Sequence, residues 1–329
     1  MRVIQMARFG GPEVLEAAER EVPEPGPGEV LVRVRAAGVN LSDTLMRQDR
    51  YAISPVLPSV LGTEVAGDIV GVGSEVAGWT VGQRVAAPLF AAGQMFGGYA
   101  EYAVLDERYV IALPTGIAYA AATALMVQGL TALYLTQQVD PAGKSVVVSA
   151  AAGGVGSLLV QVARRGGARQ VIAAASSPEK LAFARTLGAD AGVDYRTDAW
   201  IQEVRNTTGG QGADVVYESV GGAVTMQALR ALAPGGNLVI YGALNIQHFE
   251  LGVPELLGLI FRNQSITGFA TTPLLTPERV RTGLGHLFDL VGRGELRVTV
   301  GGTYPLARAA DAHRAIEGRR TTGKIVLVA

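Results

Sequence analysis

The chain of 329 residues contains no cysteine. That absence excludes disulfides, thiolate nucleophiles, iron–sulfur clusters and zinc sites built on cysteine. It leaves the redox compartment unmarked, since such a chain behaves alike in reducing and oxidising surroundings. Histidine is nearly as scarce: the three are His248, His286 and His313, and none has a second histidine three or four positions away. A histidine metal site is therefore not expected, and surface or capping roles are assigned to all three. Charge of one sign is missing too, with 28 Lys and Arg against 29 Asp and Glu and a formal net charge of −1. Little counterion release is available to drive nucleic-acid binding, and nothing draws the chain to an anionic membrane. No uncharged apolar stretch is read as approaching the roughly 20 residues that a membrane span needs. The opening Met1-Arg2-Val3-Ile4-Gln5 alternates and runs into Gly10-Gly11-Pro12, so no secretory leader is read there. The cytoplasm is the expected location.

What the chain has instead is glycine, 43 residues of it, and a hydrophobic fraction of 49%. The length suits two domains, each large enough for its own core. The first 115 or so residues read as β-rich. Val30, Val32 and Val34 alternate with Leu31, Arg33 and Arg35, one apolar face at a period of two. Closely spaced glycines from Gly62 to Gly82 then point to a tightly turning antiparallel arrangement, a distorted barrel.

The pattern changes near residue 117. Ala120 to Leu135 is helical in propensity. Strands are then expected at Ser145–Ala150, Gln170–Ala175, Ala191–Asp194, Asp214–Glu218, Asn237–Tyr241 and Ser265–Phe269. Helices fill Gly154–Arg165, Pro178–Leu187, Asp198–Thr207, Ala223–Leu232 and Pro254–Arg262. Short apolar strands alternating with helices indicate an α/β fold, a doubly wound parallel sheet covered on both faces. The tail from about Pro273 carries two more helical stretches and a strand-like end, Lys324–Val328, and is expected to return and complete the first domain.

The first of these strands runs into Ala151-Ala152-Gly153-Gly154-Val155-Gly156. This is a dinucleotide turn with Ala151 in the first position: Gly153 lets backbone approach a pyrophosphate, and Gly156 permits close helix–strand packing. An NAD site usually carries an acid at the end of the second strand, on the ribose hydroxyls. Here that segment is Ala173-Ala174-Ala175-Ser176-Ser177-Pro178-Glu179-Lys180. Small hydroxyls leave room for a 2′-phosphate, Lys180 can supply charge, and Tyr195, at the end of the neighbouring strand, can donate its hydroxyl. NADPH is therefore the expected cofactor.

At this point the residues resemble a known family. Ala37-Gly38-Val39-Asn40-Leu41-Ser42-Asp43, Leu61-Gly62-Thr63-Glu64-Val65-Ala66-Gly67, Gly97-Gly98-Tyr99-Ala100-Glu101-Tyr102 and Ala151–Gly156 occur in order. Over essentially its whole length the chain resembles the medium-chain dehydrogenase/reductases, and within them the quinone oxidoreductases related to zeta-crystallin. The resemblance implies a GroES-like, β-rich catalytic domain at 1–122, completed by 266–329, and a Rossmann domain at 123–265. It also implies a homodimer formed through the dinucleotide domain.

Zinc alcohol dehydrogenases of that superfamily carry a ligating Cys where this chain has Asn40 and a ligating His where it has Thr63. An amide or hydroxyl oxygen cannot replace a thiolate and an imidazole on Zn²⁺, so chemistry without metal is expected. That suits acceptors already electrophilic, quinones and activated alkenes, with the protein holding nicotinamide against acceptor. The resemblance puts Asn40 near nicotinamide and substrate, although capping a turn is its plain alternative. Tyr51 matches a tyrosine bordering the same cleft and, in enoyl thioester reductases, a candidate proton donor. Leu45 stands where many relatives carry tyrosine, making the pocket more apolar. Thr131 in Gln128-Gly129-Leu130-Thr131, the strand ends Tyr241-Gly242 and Phe269, and the late Arg319 resemble cofactor-side positions, with packing or surface roles as alternatives. The expected activity is NADPH-dependent reduction of a quinone or related α,β-unsaturated carbonyl. An enoyl thioester or enone reductase is the alternative within enzymes, and a crystallin-like NADPH-binding structural or RNA-associating protein the alternative outside them.

Overall fold

The computed structural model describes residues 1–242 and 250–329, and His248 lies outside them. Along the chain come β1 (Arg2–Met6), β2 (Glu16–Glu19), β3 (Glu29–Val39), α1 (Leu41–Arg47), β4 (Ser59–Val60), β5 (Val65–Val72), β6 (Arg84–Ala87), β7 (Tyr102–Asp106), β8 (Ile111–Ala112) and α2 (Tyr119–Ala124). A single wider π turn, Leu125–Gly129, joins α2 to α3 (Leu130–Gln138). Strand and helix then alternate: β9 (Ser145–Val148), α4 (Gly154–Arg165), β10 (Gln170–Ala175), α5 (Pro178–Thr186), β11 (Ala191–Asp194), α6 (Trp200–Thr207), β12 (Ala213–Glu218), α7 (Ala223–Ala231), β13 (Leu232–Ile240), α8 (Val253–Arg262) and β14 (Ser265–Gly268). The tail adds α9 (Pro277–Gly292), β15 (Val300–Pro305), α10 (Ala309–Glu317) and β16 (Lys324–Val328).

Two compact units result: Met1–Leu130 with Thr272–Ala329, and Thr131–Thr271. In the first, β15-β16-β3-β5-β6-β8 form one sheet, with β7 also on β3, and β2-β1-β4 form another. Val30, Val32 and Val34 on β3 are buried while Arg33 and Arg35 face water, the outcome that period-two alternation dictates. The tail belongs to this core. Ile325, Val326 and Leu327 of β16 pair antiparallel with Val39, Gly38 and Ala37 of β3. Leu306, Ala309, Ala312, Ile325 and Leu327 share a cluster with Val3, Val32, Val65 and Leu105.

In the second unit the strand order is β11-β10-β9-β12-β13-β14, all pairs parallel. This is the doubly wound order, with the chain reversing direction across the sheet between β9 and β12. The central strand β9 is buried at every residue, so after Ser145 its Val146-Val147-Val148 run is apolar rather than alternating. Local signals begin helices in each unit. Ser177 caps α5 by accepting from Lys180 N, Pro178 standing first in the helix, and Thr276 and Pro277 do the same for α9.

One expectation is corrected. The continuous helical segment Tyr119–Gln138 is 20 residues long, carries no Asp, Glu, Lys or Arg, and by length and composition could cross a membrane. Its most apolar window is 72% buried inside the chain. It is apolar all round because it serves as a core helix.

Candidate functional site

In the second unit the chain leaves β9 through a turn closed by Gly153 N donating to Ala150 O at 2.8 Å. Ala150 sits at φ +47°. Gly153 is the cap residue of α4, and no side chain caps this helix. Its first-turn N–H groups, on Gly154, Val155 and Gly156, therefore present a positive pole for an anion. Gly156 cannot carry a side chain here. A Cβ on it would stand 2.3 Å from Ala150 O and 2.8 Å from Ala151 Cα, both backbone. Ala151 and Ala152 are buried behind the turn.

Sheet register sets the next group. Ala175 of β10 pairs with Asp194 of β11, and Tyr195 N donates to Ala175 O at 3.3 Å, so Ser176 and Tyr195 leave adjacent strand ends. Ser177 is spent as the α5 cap, but Ser176 Oγ accepts from Lys180 Nζ at 3.4 Å. The end of β10 thus offers a hydroxyl and an ammonium on Ser176 and Lys180, while the Glu179 carboxylate of the next turn is hydrogen-bonded to the Ser177 side chain. Arg196 is held on Asp194 at 2.6 Å, a pairing that keeps the Asp194 carboxyl below its usual range.

Tyr241, Gly242 and Phe269 follow β13 and β14 at the same carboxyl edge. Tyr241 N donates to Glu218 O and Phe269 N to Ile240 O. A Cβ on Gly242 would meet Ser219 Cβ at 2.6 Å. Thr131 Oγ1 lies 2.8 Å from Thr271 Oγ1. Glu218, not singled out from sequence, ends β12 with a buried carboxyl. Its Oε1 accepts from Val220 N (2.6 Å), Gly221 N (2.8 Å) and Thr225 Oγ1 (3.2 Å), and burial raises its pKa. It closes the turn after β12, beside the switch point where such sheets receive ligands.

The first unit gathers a different set. Asn40 precedes α1, and its N–H donates to Asp43 Oδ2 at 2.8 Å, an acid at the third helical position. Its amide is committed elsewhere. Nδ2 donates to Glu64 Oε1 at 2.9 Å and reaches Thr63 Oγ1 at 3.4 Å, while Oδ1 accepts from Lys324 Nζ at 2.7 Å. Lys324 and Glu64 also form an ion pair, both side chains 0% exposed. Glu64 Oε2 accepts from Val127 N, in the π turn, at 2.7 Å.

From Asp43 a second chain of bonds runs outward. Tyr99 OH donates to Asp43 Oδ2 at 3.0 Å and also meets His313 Nε2 at 3.0 Å. Arg47 Nη1 meets His313 Nδ1 at 3.0 Å, and Arg47 also holds Gly10 O and the Glu317 carboxylate. A guanidinium only donates, so His313 Nδ1 must accept and its proton must sit on Nε2. That proton goes to the Tyr99 oxygen, and the Tyr99 proton to Asp43. One always-charged arginine thereby sets the direction of the whole chain. His313 is wholly buried, which corrects the surface or capping role assigned to it, while His286 is exposed on α9. Burial, then the neighbouring Arg47 charge, lowers the His313 pKa to about 3.

Asp43 Oδ1 has no hydrogen-bond partner among the described residues. Burial raises the Asp43 pKa to about 7, against the opposing pull of Asn40 N, Lys324 and Tyr99. Tyr51 packs nearby, half-buried, its hydroxyl pKa raised by burial and by the charge of Asp43. Asn40 and Tyr51 thus share Asp43 as a neighbour. Arg319 is exposed beyond the end of α10, at φ +51°.

The two buried groups make opposite contributions to stability against pH. Asp43 holds its proton in the fold up to about pH 7 but loses it near 4 when unfolded, so its contribution falls as pH rises between those values. His313 resists protonation down to about pH 3 in the fold, so its contribution rises toward pH 6.5. In Asp43→Asn the first slope is gone. Urea unfolding at several pH values between 4.5 and 6.5 is expected to show the variant gaining on the parent by up to about 1.4 kcal/mol per pH unit. A constant difference would mean that Asp43 does not titrate in that window.

Comparison with known proteins adds to this geometry. Residues 26–115 match the family described as the alcohol dehydrogenase GroES-like domain, and 154–288 the family described as zinc-binding dehydrogenase. A quinone oxidoreductase of Pseudomonas aeruginosa is 41% identical over 99% of this chain and 98% of its own length. A 2-haloacrylate reductase of a Burkholderia species is 36% identical over 97% and 96%. The solved structure of Escherichia coli quinone oxidoreductase complexed with NADPH superposes with a TM-score of 0.91 at 32% identity, each chain fully covered. The zinc in one family description finds no cluster of fitting donors among the described residues. Asn40 and Thr63 offer an amide and a hydroxyl, with the Lys324 ammonium in hydrogen-bond contact, and a fixed cation beside weak donors repels a divalent ion.

Proposed function

The chain belongs to the zinc-independent quinone oxidoreductases of the medium-chain dehydrogenase/reductase superfamily, and from that premise we propose that it reduces quinones or similarly conjugated carbonyl compounds with NADPH. The observation carrying the cofactor is the end of β10, where Ser176 and Lys180 stand in place of an acid, 3.4 Å apart. The turn at Gly153–Gly156 and the uncapped start of α4 suit a pyrophosphate. Ser176, Lys180 and Tyr195 would take the 2′-phosphate. Ala151, Thr131, Tyr241, Gly242 and Phe269 are proposed to line the rest of the cofactor. When bound, the reduced nicotinamide supplies hydride from its C4. The chain's own contribution is orientation and a hydrogen bond: Asn40 Nδ2 to the acceptor oxygen, with Tyr51 bordering the acceptor.

Lys180→Ala is expected to weaken NADPH binding about tenfold, the worth of one charge-assisted contact, and to leave NADH unchanged. Fluorescence titration with both nucleotides measures this, and equal shifts would count against the 2′-phosphate assignment. The activity is tested by nucleotide oxidation across a matched panel of quinones, enones and enoyl thioesters. Turnover of quinones or enones supports the reading; turnover only of simple alcohols or ketones, or of none, overturns it. The 2-haloacrylate reductase relative, named for an activated alkene, favours enone or enoyl reduction as the second reading. Under it Tyr51→Phe should abolish alkene reduction, whereas quinone reduction should persist.

We also propose that the protein is a homodimer. α8 exposes Val253, Leu256, Ile260 (67%) and Phe261 (80%) on a helix with no buried residue. Among the described residues β14 pairs only with β13, leaving one strand edge open. An apolar patch next to an unpaired edge suits a second copy of the chain. Phe261→Asp is expected to halve the mass seen by light scattering; an unchanged mass would exclude this face.

A further inference from the structure

Lys324 and Glu64 are buried to 0% exposure, and both touch the Asn40 amide. An ion pair taken wholly out of water is a poor source of stability, because desolvation offsets most of the attraction. What it does supply here is orientation. We propose that Lys324 is a positioning residue for the reduction, fixing the Asn40 amide so that one Nδ2 hydrogen is presented to the acceptor oxygen. The inference rests on the reading of the chain as a reductase of conjugated carbonyls.

An asparagine amide has two orientations related by a flip, and its neighbours decide between them. The ammonium of Lys324 only donates and the carboxylate of Glu64 only accepts. In the observed orientation Oδ1 faces the ammonium at 2.7 Å and Nδ2 faces the carboxylate at 2.9 Å. The flip would set NH₂ against NH₃⁺ and oxygen against carboxylate, two repulsive contacts in a dry site. One orientation is left. Of its two Nδ2 hydrogens, one serves Glu64. Among the described residues the other has only Thr63 Oγ1 at 3.4 Å, a long bond that an oxygen ligand can replace. When a conjugated carbonyl gains hydride, the electron pair comes to rest on its oxygen until a proton arrives. A donor fixed in advance, and polarised by a cation on its carbonyl side, stabilises that charge.

A double-mutant cycle tests this, using Lys324→Met, Asn40→Ala and their combination with NADPH and 1,4-benzoquinone. Lys324→Met is expected to lower kcat by about tenfold to a hundredfold, somewhat less than outright loss of an oxyanion donor. KM and the NADPH dissociation constant should stay within about twofold. With Asn40→Ala already present, Lys324→Met should lower kcat less than about twofold further. Equal losses in the two backgrounds, or no loss, would overturn the positioning role. If Lys324→Met does not fold, the cycle is run with Lys324→Met/Glu64→Gln, which removes both charges together. A parent protein inactive on every quinone and enone would instead overturn the reductase reading beneath it.

Discussion

Gly156→Val is expected to abolish NADPH binding, raising its dissociation constant more than about a hundredfold, near 3 kcal/mol. The cause is geometric. The first carbon of any side chain would stand 2.3 Å from Ala150 O and 2.8 Å from Ala151 Cα. Both are backbone atoms, so no rotamer change relieves the contact, and α4 must move away from the turn that follows β9. Its first-turn N–H groups then no longer converge on one anion. The overpacking itself should cost about 1–3 kcal/mol of stability. Gly153→Ala is the matched control: its Cβ meets Ala150 O at 3.1 Å and its φ of −76° suits any residue, so a modest loss is expected. Nucleotide fluorescence reports binding and urea unfolding reports folding. If Gly156→Val bound NADPH within about fivefold of the parent, the pyrophosphate would have to sit elsewhere.

Glu64→Ala should be the most destabilising single change in the first unit, by about 3–5 kcal/mol. It leaves the Lys324 ammonium buried with only Asn40 Oδ1 as partner among the described residues, and it strips the acceptor from Val127 N in the π turn. Removing the stranded charge as well, in Glu64→Ala/Lys324→Met, should recover most of the loss, because an apolar pair owes no desolvation. Urea unfolding of the two variants makes the comparison. A cost below about 1 kcal/mol for Glu64→Ala would mean that water reaches the ammonium.

The double variant also shows why this part of the molecule was hard to read in sequence. Lys324 opens an apolar strand-like run and looks like a solvated end, while Glu64 lies 260 positions earlier. His313 is similar, since its partner Arg47 is 266 positions away and nothing within one helical turn announces burial. Such pairings are made by β16 returning to β3 and α10 packing beside it. By contrast, the second unit was legible because its signals are local. β10 and α4 run over the residues that alternation and the glycine turn indicated, Gln170–Ala175 and Gly154–Arg165. The proximity of Ser176 and Tyr195 required topology as well, and the doubly wound order supplied it. The π turn had no signal at all, because Leu125–Gly129 has ordinary helical composition.

That turn gives the helix from Tyr119 to Gln138 a property that its composition does not reveal. A wider turn accommodates one residue more than a regular one, and each residue in a regular helix advances its face by about 100°. Deleting a single residue between Leu125 and Gly129 would therefore leave a regular turn, with Thr131 and the later side chains of α3 keeping their faces, because the wider turn already absorbs that rotation. It would also return Val127 N to the helical ladder and away from Glu64. Most surface segments tolerate a change of length; in this one the extra residue is tied to a backbone N–H that donates to Glu64, independently of which residues the turn contains.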